Sequence, residues 1–153
     1  MPTIEGYGSG QVLRDIRYAH IALGCTRLPL AGPAVGRKLE QRMEPLGIRP
    51  VTPAEAELLI DGCGRCAAGP RICSPLFPRS ACSEAIFLDE LADRLVAANK
   101  AAFITKEQAK TVLARYPKNP LVVSKVSGRY LEICRSDPAV CIYWKMRRAG
   151  LKV

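Results

Sequence analysis

Apolar positions recur at helical spacing along much of the chain. Thr52, followed by a proline and by acidic residues in the first turn, predicts an N-capped helix over residues 53–61. Leucines three and four positions apart predict a second helix over residues 83–98, and a capping box predicts a third over residues 105–116. The glycine-rich opening EGYGSGQ predicts an extended lead-in.

Residues 120–134 fit two different structures. β-branched and aromatic residues on both sides of Ser127 and Gly128 indicate a β-hairpin that turns at this pair. The same residues also fit a helix, and the periodicity does not separate the two alternatives. Both structures therefore stay open at this point.

These elements predict a mainly α fold, which becomes α+β if residues 120–134 form a hairpin. We expect one domain over residues 1–153, because this length suits one core and is short for two. Its parts are a helical N-terminal part (1–60), a cysteine loop plus helix (61–99) and a basic C-terminal part (100–153). The small helical domain would be organised around the cysteine loop.

The composition indicates a folded chain without a membrane anchor. The residues are 48% hydrophobic and 24% charged, which is ordinary for globular proteins. We expect no membrane span, because no apolar run approaches the required length, and no secretory signal at the start. Seven cysteines, an odd number, argue against a closed disulfide framework and favour the cytoplasm, where thiols stay reduced.

The segment CGRCAAGPRICSPLFPRSAC, residues 63–82, holds four cysteines, three prolines and three arginines but no carboxylate. The thiols of a CxxC pair can ligate one centre, and the restricted backbone of the prolines lowers the entropy lost when the loop wraps it. We therefore predict that this loop binds a soft metal centre. The predicted ligands are Cys63, Cys66, Cys73 and Cys82.

A [4Fe–4S] cluster fits this spacing better than zinc, because zinc ribbons usually pair two CxxC motifs and only one is present. Zinc remains the alternative. Arg65, Arg71 and Arg79 would offset the negative charge of a thiolate-ligated centre and tune its reduction potential. Cys134 and Cys141 either pack as small apolar residues or serve as additional ligands.

Signatures of independent catalysis are missing from the sequence. His20 is the single histidine, so a Cys–His nucleophile would depend on it alone, and no third orienting group is evident. The glycines of GYGSG lack the preceding strand and the following lysine of a phosphate loop. We therefore expect an electron carrier or a subunit rather than an independent enzyme.

Positive charge is concentrated in the last third of the chain. Residues 100–153 carry twelve Lys and Arg against three Asp and Glu, which accounts for the whole net charge of +9. Such a surface attracts an anionic partner, either a larger acidic redox protein or nucleic acid. Two helices followed by a hairpin would also suit a winged helix-turn-helix.

The sequence as a whole favours a small cytoplasmic iron–sulfur protein that transfers electrons, or an iron–sulfur subunit or accessory of a larger redox enzyme. A metal- or cluster-containing winged-helix regulator that binds nucleic acid is the first alternative. A structural zinc module is the second.

Overall fold

The computed structural model describes residues 2–153 of the chain. Within that range the helices are α1 (Ile4–Ser9), α2 (Gln11–Cys25), α3 (Gly32–Met43), α4 (Pro53–Gly62), α5 (Asp89–Ala97), α6 (Lys106–Ala114) and α7 (Ile142–Arg148). The strands are β1 (Arg49–Val51), β2 (Cys66–Pro70), β3 (Glu84–Leu88), β4 (Ala102–Ile104), β5 (Leu121–Val126) and β6 (Arg129–Arg135). Short 3-10 turns cover Glu44–Leu46 and Ser74–Leu76.

The six strands form one sheet in the order β1-β5-β6-β3-β2-β4, and every neighbouring pair is antiparallel. The fold is therefore α+β, and the prediction of a mainly α domain organised around a cysteine loop is wrong. Long-range strand pairing, not a metal-binding loop, forms the centre of the molecule.

The prediction of a helix over residues 83–98 is wrong in its first third. The run EAIFL forms β3, and α5 begins only at Asp89. Strand β3 pairs with β2 on one side and β6 on the other, and Ile86 is fully buried. A short, continuous apolar run suits a strand covered on both faces as well as it suits a helix. Its neighbours in the sheet decide the outcome.

The cysteine segment also contains regular structure. Strand β2 begins at Cys66 and lies between β3 and β4. Ala67 is fully buried, and Gly69 passes so close to the backbone of Lys100 that a Cβ atom there would lie 2.5 Å from the Lys100 carbonyl oxygen. Small residues thus allow β2 to fit between its neighbours.

The hairpin at residues 120–134 is confirmed. β5 and β6 pair along their length, and the turn places Ser127 and Gly128 at φ 51° and φ 82°. The outer edge of β5 pairs with β1, and the outer edge of β6 pairs with β3. The base of the hairpin is therefore internal to the sheet, whereas its turn end, residues 124–131, has no further strand beside it.

The predicted helix starts at Thr52 and Thr105 are both confirmed as capping boxes. The predicted extended lead-in is wrong, because α1 occupies it. Thr3 caps this helix, and Tyr7 is buried to 1% exposure against the main core.

Apolar side chains form two clusters. The larger one fills the space between the sheet and helices α1, α4, α5 and α6. The smaller one joins α2, α3 and α7, with Leu39, Met43 and Met146 at its centre. None of the helices within residues 2–153 has the length and apolar character needed to cross a bilayer.

Candidate functional site: two groups of thiols

The fold does not bring the four predicted ligands to one point. Cys66 is the first residue of β2, and the loop that carries Cys73 and Cys82 follows the other end of that strand. Four residue steps along a strand span about 13 Å. The quartet is therefore divided into a Cys63–Cys66 pair at one end of β2 and a second group at the other end.

The Cys63–Cys66 pair is held by backbone contacts. The Cys63 thiol donates to the Ile60 carbonyl (3.1 Å), and the Cys66 thiol donates to the Ile104 carbonyl (3.3 Å). Asp89 clamps the turn between the two cysteines, because its Oδ1 accepts from the Gly64 amide at 2.7 Å. Both thiols are buried.

This environment disfavours reactive thiolates. Burial raises the pKa of Cys63 and of Cys66, although the charge of Lys106 opposes the rise in both. Cys63 also follows the C-terminal end of α4, where the helix dipole disfavours an anion. A redox-active dithiol usually sits at a helix N-terminus, so the pair lacks the activation of such a motif.

Arg71 lies at the other end of β2 and is 2% exposed. Its Nη2 donates to the Ser80 hydroxyl at 3.0 Å, and its Nη1 contacts the Arg135 carbonyl at 3.5 Å. Its Nε is buried without a hydrogen-bond partner, and none of the ion pairs within residues 2–153 includes it. A buried cation without a contacting anion is costly for a fold.

Four thiols lie near enough to this guanidinium for its charge to act on their pKa values, and we call them the Arg71 thiol cluster. They are Cys73, Cys82, Cys134 and Cys141. Burial raises the pKa of each thiol, that of Cys73 to about 11, and the charge of Arg71 opposes the rise in all four. The Cys82 thiol donates to the same Arg135 carbonyl that Arg71 contacts, at 3.3 Å.

Separate parts of the fold supply these thiols. Cys73 and Cys82 flank the loop after β2, and Cys134 lies on β6 opposite Ala85 of β3. Cys141 is the N-cap residue of α7, where the backbone amides of Tyr143 and Trp144 partly offset the rise that burial causes in its pKa. The two candidate additional ligands thus lie beside half of the predicted quartet.

Two carboxylates lie near Arg71 without contacting it. Glu132 accepts from Tyr7 Oη (2.7 Å) and Ser124 Oγ (2.9 Å), and burial raises its pKa. Asp137 reaches Arg71 only through the Ser80 hydroxyl, which lies 3.0 Å from its Oδ2. Sequence reasoning missed both groups. The available signal was the two-residue spacing of Glu132 and Cys134, which puts both on one face of the predicted strand.

The other two arginines predicted to tune a centre lie elsewhere. Arg65 is exposed and pairs with Asp93 at 2.8 Å. Arg79 is exposed on the loop surface. Of the three predicted arginines, only Arg71 is placed beside several thiols.

The possible metal ligands of the described residues are not grouped around a single point. Within residues 2–153, no three His, Cys, Asp or Glu side chains lie close enough together to hold one metal ion. A tetrahedral zinc ion needs four sulfurs at about 2.3 Å from one point.

Basic residues on α6, the second helix of the predicted winged helix-turn-helix, have partners within the chain. Lys110 pairs with Asp61 at 2.8 Å, and Lys106 Nζ donates to the Asp61 carbonyl at 2.7 Å. Arg129, beside the hairpin turn, pairs with Glu90 at 2.8 Å. The turn end of the hairpin extends past the neighbouring strands, so contact of this turn with a DNA backbone stays a prediction.

No protein-family model, curated protein or solved structure matches this chain.

Proposed function

We propose that the chain is an iron–sulfur protein that binds its cluster through the Arg71 thiol cluster and exchanges electrons with a larger redox partner. The ligands would be Cys73, Cys82, Cys134 and Cys141. The observation that carries the proposal is the buried Arg71 side chain, which has four thiols around it, an unpartnered Nε and no contacting carboxylate.

Charge compensation is the first argument. As free thiols with raised pKa values, the four cysteines are neutral near pH 7 and leave the guanidinium charge uncompensated. Ligation of a metal centre removes the thiol protons and makes the surroundings of Arg71 anionic. The buried cation then gains the counter-charge that Glu132 and Asp137 do not supply by contact.

Ligand spacing is the second argument. In a four-iron cluster each cysteine binds a different iron, so the sulfurs are farther apart than those around one ion. The charges of Cys73 and Cys141 both act on Cys134, so three of the four proposed ligands share one region of the fold. When bound, such a cluster accepts and donates single electrons.

Access and charge suit a role with a partner. Cys73, Cys134 and Cys141 are each half-buried, so the centre would lie near the surface. Helix α7 begins directly after Cys141 and carries Lys145, Arg147 and Arg148. An acidic partner attracted by these cations would approach the thiols, and we propose this face of the basic C-terminal part as the docking side.

Purification of the full chain without oxygen tests the proposal. We expect about four irons and four acid-labile sulfides per chain, with broad visible absorption that dithionite bleaches. The variant Cys25→Ser removes an exposed thiol on α2 and should leave both measurements unchanged. A colourless protein with one zinc would replace the electron-transfer role by a structural one, and a protein with neither metal would contradict the proposal.

A further inference from the structure

A cavity of about 680 Å³ lies between α2 and α7, and no cysteine lines it. Its lining is basic and partly apolar. The lining residues are His20, Leu23, Gly24, Thr26, Arg27, Lys145, Arg148 and Ala149. No carboxylate lines this cavity, although the space is bordered by three cationic side chains.

The three cations have no acidic partners in the part of the chain that the structure describes. One Nη of Arg148 donates to the Pro138 carbonyl at 2.8 Å, and Lys145 Nζ lies 5.5 Å from the centre of the Phe77 ring. Arg27 and Arg148 are exposed, so the cavity opens to solvent on their side. Like charges that face one space repel one another, and an anion between them relieves that repulsion.

His20 forms part of the cavity wall. Its Nε2 is buried and has no hydrogen-bond partner, while its ring packs edge-on against Phe77 at 4.9 Å between centroids. Burial and the charge of Lys145 lower the pKa of His20 to about 4. The charged groups that line the cavity around the ring are Arg27, Lys145 and Arg148.

We propose that this cavity binds a small molecule that carries a phosphate or pyrophosphate group. Arg27, Lys145 and Arg148 would contact the anionic oxygens, and the His20 ring would lie beside them in the cavity wall. Arginine forks match the geometry of phosphate oxygens, and three cations suit a multiply charged group better than a single carboxylate. The volume exceeds that of one phosphate group and leaves room for a nucleoside-sized remainder.

The single histidine makes the test direct, because all imidazole NMR signals of the chain come from His20. We expect that inorganic pyrophosphate shifts these signals saturably at pH 6 and raises the pKa of His20, since an anion beside the ring stabilises the imidazolium. ADP is the second probe. Tighter binding of ADP would identify a nucleotide as the source of the group, and equal binding would identify the inorganic anion.

Neighbouring arginines on α7 provide a matched control. Arg148 lines the cavity, whereas Arg147 is equally exposed and does not line it. Arg148→Ala should weaken pyrophosphate binding about tenfold, since one charge-assisted hydrogen-bonding group is lost. Arg147→Ala should change the dissociation constant less than twofold.

Three results would overturn the proposal. Pyrophosphate at millimolar concentration could leave the His20 signals unchanged. Alternatively, Arg147→Ala could weaken binding as much as Arg148→Ala, which would indicate attraction to the basic surface as a whole. Binding of duplex DNA without any binding of pyrophosphate also counts against a small-molecule site.

Discussion

Arg71→Met should lower the reduction potential of the iron-loaded protein on the order of 100 mV, which is the effect of one unit charge about 7 Å away at an effective dielectric constant of about 20. The side chain is 2% exposed, so solvent does not screen its charge. Loss of the positive charge favours the more oxidised, less negative cluster. The potential can be measured by a dithionite titration followed in the visible range.

In the metal-free protein, Arg71→Met should leave the free energy of unfolding unchanged or raise it. Replacement of a poorly paired buried ion by an apolar side chain of similar volume is neutral or stabilises by about 1–4 kcal/mol. Arg71→Met removes two hydrogen bonds, one to the Ser80 hydroxyl and one to the Arg135 carbonyl. The Arg135 carbonyl still accepts a hydrogen bond from the Cys82 thiol, so it is not left without a partner. Urea denaturation of the chelator-treated protein gives the free energy of unfolding.

Arg79→Met is the control for this pair of measurements, because Arg79 is an exposed arginine on the same loop. It should leave the potential and the unfolding free energy nearly unchanged. If Arg71→Met instead leaves the potential at the wild-type value and destabilises the metal-free chain, then Arg71 is a structural residue with adequate partners. The charge argument for the centre would then fail.

Gly69→Ala should destabilise the fold by about 3 kcal/mol, at the upper end of the cost of overpacking. A Cβ atom at this position would lie 2.5 Å from the Lys100 carbonyl oxygen and 3.1 Å from Ala101 Cα. Both contacts are with backbone atoms next to β4, so relief requires β2 and β4 to separate. Urea denaturation measures the change in unfolding free energy.

Gly24→Ala is the matched control, since an added Cβ at this glycine of α2 meets nothing within 4 Å. In a helix this change should stabilise the protein by about 0.5 kcal/mol. If Gly69→Ala costs less than about 1 kcal/mol, the close passage of β2 past Lys100 does not describe the folded state.

Local signals predicted the elements that local contacts determine. The helix starts at Thr52 and Thr105 depend on hydrogen bonds within four residues, and the turn at Ser127 and Gly128 is helped by Gly128, which adopts positive φ at little cost. Both helix starts were readable from a short window of sequence, and the turn belonged to one of the two structures that fitted residues 120–134. Each has the same form in the structure.

Non-local pairing explains what the sequence did not predict. Strand β3 has an apolar run that also fits a helix, and only its pairing with β2 and β6 makes it a strand. Strand β2 contains alanines, a glycine and a proline, which have weak strand preference, and it is fixed by two neighbours. Because these two strands were not predicted, the sequence favoured a mainly α fold where the structure is α+β.

The same error affected the candidate site. Without β2, four cysteines in twenty residues were expected to converge on one centre. The strand separates Cys66 from Cys73, and the pairing of β6 with β3 brings Cys134 to the second group. The prediction that Cys134 and Cys141 could act as additional ligands depended on spacing alone. Their proximity to Arg71 depends on the sheet.

Iron content of two single-cysteine variants tests the central claim most directly. Cys134→Ser removes a thiol of the Arg71 thiol cluster, and Cys63→Ser removes a buried thiol at the other end of β2. In full chains purified without oxygen, we predict that Cys134→Ser loses most of its iron, whereas Cys63→Ser keeps the wild-type amount. Full iron in Cys134→Ser together with its loss in Cys63→Ser would contradict the account.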